Sequence, residues 1–193
     1  MNLLKRIINR VFRSEEAPPP ETVKTAPLGP LTFEPQWNLD DQKSIVVGTA
    51  QSVGIERDHN EDTLFVLLGN SEGQEMVPDF GLFLVADGMG GHHAGDIASA
   101  ISVRTTAHRI TESTILRLFE DDSGDDTLPI QDLIRKALED ANQSVVTQVP
   151  GGGTTLTAVL LLSNQLTIGH VGDSRAYIFQ NGKSEVITRD HSL

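Results

Sequence analysis

The order of elements in this sequence predicts an α+β fold. Three observations carry that reading. Apolar, β-branched runs come first, two stretches of helical periodicity follow, and a meander of short strand-like runs closes the chain. This is not the regular strand-helix alternation of a parallel sheet. With 193 residues, 38% hydrophobic and 22% charged, the chain has the apolar content to bury a real core.

Met1–Arg13 holds Lys5, Arg6, Arg10 and Arg13 and no acid, so the remainder carries −16 against a total of −12. Leu3, Leu4, Ile7, Ile8, Val11 and Phe12 set an apolar stripe against those cations, the pattern of a basic amphipathic helix. Peripheral membrane contact through 1–13 is one expectation and a frayed tail the other. Residues 14–43 contain Pro18, Pro19, Pro20, Pro27, Pro30 and Pro35 among small and polar residues, and read as a disordered linker. The folded domain is expected over 44–193.

Within it, Ile45–Val53 reads as a strand, and the compact runs Thr63–Leu68 and Gly81–Ala86 as buried strands. Gly69–Pro78 is a loop between them. After Gly95, spacings of three and four through Ile97, Ala98, Ile101, Thr105 and His108 predict a helix. Glu120–Asp126 is an acidic loop that lacks the alternation of an EF-hand. A second helix follows Pro129, with Ile130, Leu133, Ile134, Ala137, Leu138, Ala141 and Val145 on one face. Leu156–Leu162, Leu166–Val171 and Arg175–Phe179 are strand candidates with turns at Ser163-Asn164 and Asn181-Gly182.

The acidic balance argues against nucleic acid as a partner. The sequence contains no cysteine, which excludes disulfides, thiolate metal sites and cysteine nucleophiles, and fits a cytoplasmic setting. No apolar run approaches the roughly 20 residues of a membrane helix.

Three clusters carry candidate chemistry: Arg57-Asp58-His59-Asn60-Glu61-Asp62, Ala86-Asp87-Gly88-Met89-Gly90-Gly91-His92, and His170-Val171-Gly172-Asp173-Ser174-Arg175. Asp87 directly follows an apolar run, so its carboxylate emerges at the rim of the core, where charge needs a partner. The glycines after it allow close backbone approach, and a hard cation such as Mg²⁺ or Mn²⁺ satisfies both facts. Each cluster also has a plainer reading. Asp87 could cap a helix, Glu61 and Asp62 could form a solvated turn, Asp173 could make an Asx bond, and Arg57 could pair on the surface. Nucleotide-binding fingerprints fail, because His93 stands where the third glycine would be needed and no P-loop lysine follows.

Taken together, Arg57-x-x-Asn60-Glu61-Asp62, Val85-Ala86-Asp87-Gly88-Met89-Gly90-Gly91-His92, Gly153-Thr154-Thr155 and Gly172-Asp173-Ser174-Arg175 resemble the ordered motifs of type 2C metal-dependent serine/threonine protein phosphatases. The Met-Gly-Gly-His form is similar to the bacterial branch, and Thr188–Leu193 to the segment that follows in the family. The resemblance runs from about Ile45 to the last residue. It implies two stacked antiparallel β-sheets flanked by helices, a four-layer αββα sandwich, incomplete here at the C-terminus. It also implies a pair of Mn²⁺ or Mg²⁺ ions with a third nearby. Asp87 would bridge the pair, the Gly88 carbonyl and Asp62 would bind it, and Glu61 would act through a water. Asp173 would serve the third ion, Arg57 would grip the substrate phosphate, and Thr154 and Thr155 would pack near the site.

The implied function is hydrolysis of phosphoserine and phosphothreonine in proteins by a metal-activated water, with a Ser/Thr kinase opposing it and the chain a monomer. Met89 stands where some members carry a histidine, so the resemblance assigns no proton donor; His92 and His93 lie nearby in sequence, where helix-start histidines are more often bystanders. The family's later Ser-Asp-Gly and Asp-Asn motifs do not occur in this sequence, so impaired turnover is expected. The alternative is a non-catalytic phosphopeptide-binding or regulatory fragment that keeps Arg57.

Overall fold

The computed structural model describes residues 45–55, 58–70, 78–90, 93–119 and 128–191. The amphipathic segment 1–13, the linker 14–43, Arg57, His92 and the acidic loop Glu120–Asp126 lie outside the described residues.

Strand β1 (Asp62–Gly69) leads to β2 (Phe80–Met89), then helix α1 (Ala94–Ile110), which relaxes through a π-turn and a 3-10 turn ending at Phe119. Helix α2 (Ile130–Gln148) follows, then β3 (Gly153–Thr154), β4 (Leu156–Leu162), β5 (Gln165–Val171), β6 (Tyr177–Gln180) and β7 (Lys183–Val186). Two antiparallel sheets result, one ordered β1-β2-β4-β5 with β3 added at the end of β2, the other the hairpin β6-β7. With its helices, the chain has the α+β fold that the order of elements predicts.

Side-chain alternation decides where the core lies. Leu82, Leu84 and Ala86 of β2 and Leu156, Ala158 and Leu160 of β4 point to one face and are almost fully enclosed. Val103, Ala107 and Ile110 of α1 and Ile134, Ala137 and Ala141 of α2 close over them. Each fully buried leucine contributes about 1.5–3 kcal/mol relative to exposure. The opposite face, with Leu64, Val66, Phe83, Val85, Val159 and Ile168, is only half-buried, and Val85 is 43% exposed. Among the described residues no helix is long and apolar enough to cross a membrane.

Three features depart from the sequence reading. Residues 45–53 form no strand: Val46 is 75% exposed, and the side chain of Gln51 reaches the Asp62 carbonyl at 3.4 Å. β-branched composition supplies propensity, but a strand also needs a neighbour for its backbone groups. The buried side of α1 keeps only part of the expected stripe, with Ala98 and Ile101 enclosed and Thr105 half-buried. Ile97 is half-exposed and His108 exposed, while Ser99, Ser102, Thr106 and Ile110 face inward. Ser99 tolerates burial because its hydroxyl finds the Asp96 and Glu61 carbonyls, and the short side chains on this face let the helix sit close to the sheet. Strand β2 continues past Ala86 to Met89, which places Asp87 within a paired strand rather than after one.

Candidate metal centre

The β1-β2 register sets Asp62 directly opposite Asp87. Directly opposed residues share a face, so the two carboxylates emerge side by side at one end of the sheet. Ala86 and Gly88 are buried on the other face, and both aspartates are exposed. This places two hard oxygen donors at one position, the chemistry Mg²⁺ and Mn²⁺ require. Among the described residues no group of three or more His, Asp or Glu converges closely enough to hold an ion. The described donors therefore fit a hard cation as a two-carboxylate edge, with Gly88 in the next position along the strand.

Backbone packing fixes this edge. The Gly88 N–H donates to the Glu61 carbonyl at 3.2 Å, and a Cβ on Gly88 would stand 2.5 Å from that same oxygen and collide with the Gly95 backbone. Only glycine permits so close a crossing of the strand end and the start of α1. Glu61 is buried beside it, and the Ser99 hydroxyl, itself fully enclosed, donates to its carbonyl at 2.7 Å and sits 2.9 Å from the Thr63 hydroxyl. The Asp87 peptide is held from the third side. Its N–H donates to Thr155 Oγ1 at 2.9 Å, while its carbonyl accepts the Thr155 N–H at 2.9 Å and the Thr154 hydroxyl at 3.0 Å.

Asp173 is exposed in the turn after β5. The chain beyond it folds back: the His191 N–H donates to the Gly172 carbonyl at 2.7 Å, and Arg175 grips Asp190 through both Nε and Nη2. That guanidinium holds the Asp190 carboxyl below its ordinary range, and the bond raises the Arg175 pKa in turn. On the other flank, the His59 and His93 rings meet at a tilt of 43° with their centres 4.8 Å apart. The hydrogen bond from His59 Nδ1 to Asp58, 2.7 Å long, pushes the imidazole pKa up against the opposing effect of partial burial, and pulls the Asp58 carboxyl down.

The structure thus pairs Asp62 with Asp87, sets Glu61 and Gly88 against each other, and puts Asp173 in a separate turn. Sequence reasoning missed Gly95, Ser99 and the hydroxyl of Ser174. For α1 a signal existed: Gly95, Ser99, Ser102 and Thr106 recur at spacings of three and four, a small-residue stripe that marks close helix approach as clearly as an apolar one.

Residues 48–193 match the sequence profile of the family described as Protein phosphatase 2C. The serine/threonine phosphatase stp of Listeria welshimeri is 38% identical over 143 residues, covering 71% of this chain and 51% of that protein. The serine/threonine protein phosphatase PstP of Mycobacterium tuberculosis is 35% identical over 143 residues, covering 72% and 24%. Among solved structures, a bacterial serine phosphatase superposes with a TM-score of 0.55 at 28% identity, covering 73% of this chain and 53% of the other. The catalytic domain of PstP in complex with 2 manganese ions gives 0.50 at 31%, covering 71% and 52%. The chain spans about half the length of the Listeria proteins it matches. With a profile match over most of its length, the chain belongs to the protein phosphatase 2C family.

Proposed function

We propose that this chain carries the metal-binding edge of a protein serine/threonine phosphatase active site. The register pairing of Asp62 with Asp87 is the observation that supports the reading most. Like charges directly opposed across two strands repel each other, and a cation between them would turn that repulsion into attraction. Divalent ions bound there supply charge stabilisation for the phosphoryl group and an activated water. Asp62, Asp87 and the Gly88 carbonyl would hold them, two in number as Mn²⁺ or Mg²⁺, and Glu61 would orient a water alongside. Asp173 offers a carboxylate for a third. The guanidinium of Arg57 binds two phosphoryl oxygens at once, which a lysine cannot do. A water would add to phosphorus in line as the bond to the seryl or threonyl oxygen breaks. That oxygen would take a proton from solvent, so phosphate and the free hydroxyl leave with no covalent phosphoenzyme.

With only two carboxylates at one position among the described residues, this chain holds the ions weakly and turns over slowly. Purified chain with Mn²⁺ is expected to release phosphate from a phosphoserine peptide at a low rate that a chelator removes, and Arg57→Ala should raise KM at least about tenfold. Release that persists in excess chelator would sink the metal reading. Phosphopeptide binding with no release, lost in Arg57→Ala and indifferent to chelator, would favour the non-catalytic binding module instead.

Met1–Arg13 fits recruitment to an anionic membrane surface, by charge and apolar stripe together. The chain should sediment with phosphatidylserine vesicles at low salt and be released at high salt. Replacing Lys5, Arg6, Arg10 and Arg13 by glutamine should abolish sedimentation, and retention in that variant would count against the proposal.

A further inference from the structure

The Asp87 peptide and the Asp173 turn are distant in sequence, yet one pair of hydroxyls joins them. Thr155 Oγ1 accepts the Asp87 N–H at 2.9 Å and lies 2.8 Å from Ser174 Oγ. Thr155 is only 7% exposed, so its hydroxyl makes these bonds away from bulk water. A hydroxyl has one proton and two acceptor sites, so Thr155 can accept the hydrogen bond from the Asp87 amide and complete a second bond with Ser174 in either direction. Within such a chain each bond polarises the next.

The turn is pressed onto the same threonine. Gly172 has φ +106°, and a Cβ there would stand 2.6 Å from Thr155 Cγ2. Its carbonyl is fixed from two sides, by the His191 N–H at 2.7 Å and by His170 Nε2 at 3.0 Å. The other nitrogen of His170 bonds the Thr157 hydroxyl at 2.9 Å, and because a carbonyl only accepts, Nε2 is the donor to Gly172. Ser174 therefore hangs from a backbone that cannot shift without disturbing β4, β5 and the chain end.

We propose that Ser174 and Thr155 form a hydroxyl relay that fixes the Asp87 peptide and couples it to the Asp173 turn, so that the two carboxylates are positioned together. Both are positioning residues, neither touching an ion or substrate. The functional consequence rests on the metal-centre reading above, whereas the relay itself can be measured without metal.

Amide hydrogen exchange of Asp87 in the metal-free full chain reads the relay directly. Ser174→Ala, which does not touch that amide, should speed its exchange about fivefold, and Thr155→Val about tenfold, while Thr155→Ser restores the parent rate. The double variant Thr155→Val/Ser174→Ala should be no worse than Thr155→Val alone, because both changes break one chain. Mn²⁺ binding, followed by loss of the free-ion paramagnetic resonance signal, should weaken about tenfold in Ser174→Ala and recover in Ser174→Thr. An Asp87 exchange rate unchanged in Ser174→Ala, or fully additive effects in the double variant, would overturn the relay. If Thr155→Val does not fold, Ser174→Ala and Thr155→Ser decide the matter between them. Should the parent take up no Mn²⁺ while Ser174→Ala still speeds exchange, the relay stands and the metal reading falls.

Discussion

Asp87→Asn is expected to abolish the rise in melting temperature that Mn²⁺ gives the parent chain. At ten times the dissociation constant, a ligand that binds only the folded state stabilises it by about 1.4 kcal/mol. For a folded unit of this size that is a shift of roughly 3–6 °C. The amide of asparagine keeps the shape of the carboxylate and removes its charge, so the variant isolates the electrostatic contribution to ion binding. The fold is insulated from the change because Thr154 and Thr155 grip the backbone of Asp87. Any residual phosphatase rate should fall by at least about a hundredfold, since losing even an outer partner of a metal ligand costs 10–100-fold. Asp132→Asn is the control: its carboxylate pairs with Arg135 on the outer side of α2 and should leave the Mn²⁺ response intact. A parent-like Mn²⁺ shift in Asp87→Asn would remove the Asp62–Asp87 pair from consideration as an ion site.

How much of this was legible in the sequence depends on the range of the interaction involved. Strand β4 begins and ends where its apolar run does, and the inward face of α2 is the one its periodicity marks, because both follow from local pattern. The turn at Asn181-Gly182 was visible, yet the strand Lys183–Val186 beyond it was not. Its residues are all exposed and carry no apolar alternation, so only pairing with β6 defines it. The acidic clusters around Asp62 and Asp87 were visible as carboxylates at the ends of apolar runs. What could not be read was that they face each other. That depends on the register across a hairpin whose loop length alone does not fix the pairing. The hydroxyl contacts of Ser99 with Glu61 and of Thr155 with Ser174 are likewise long-range, spanning 38 and 19 residues, and no local rule marks them.

Gly88→Ala should be the most destabilising methyl group that could be added to a glycine among the described residues. The added Cβ would meet the Glu61 carbonyl oxygen at 2.5 Å and the backbone of Gly95, and none of these atoms can step aside by changing a rotamer. Relief requires β2 and the start of α1 to part, which also stretches the bond from the Gly88 N–H to Glu61. Overpacking of a rigid contact costs about 1–3 kcal/mol, and with a backbone hydrogen bond strained as well the expected loss is about 3 kcal/mol. The melting temperature of the metal-free chain should therefore fall by roughly 6–12 °C. Gly48→Ala, where a Cβ meets nothing within 4 Å and the backbone is ordinary, should change stability by no more than about 0.5 kcal/mol. The two variants add the same atoms, so the difference between them measures the crossing alone. If Gly88→Ala melts within a degree or so of Gly48→Ala, the strand end and the helix are not in the tight contact that holds Glu61 and Asp87 at one edge.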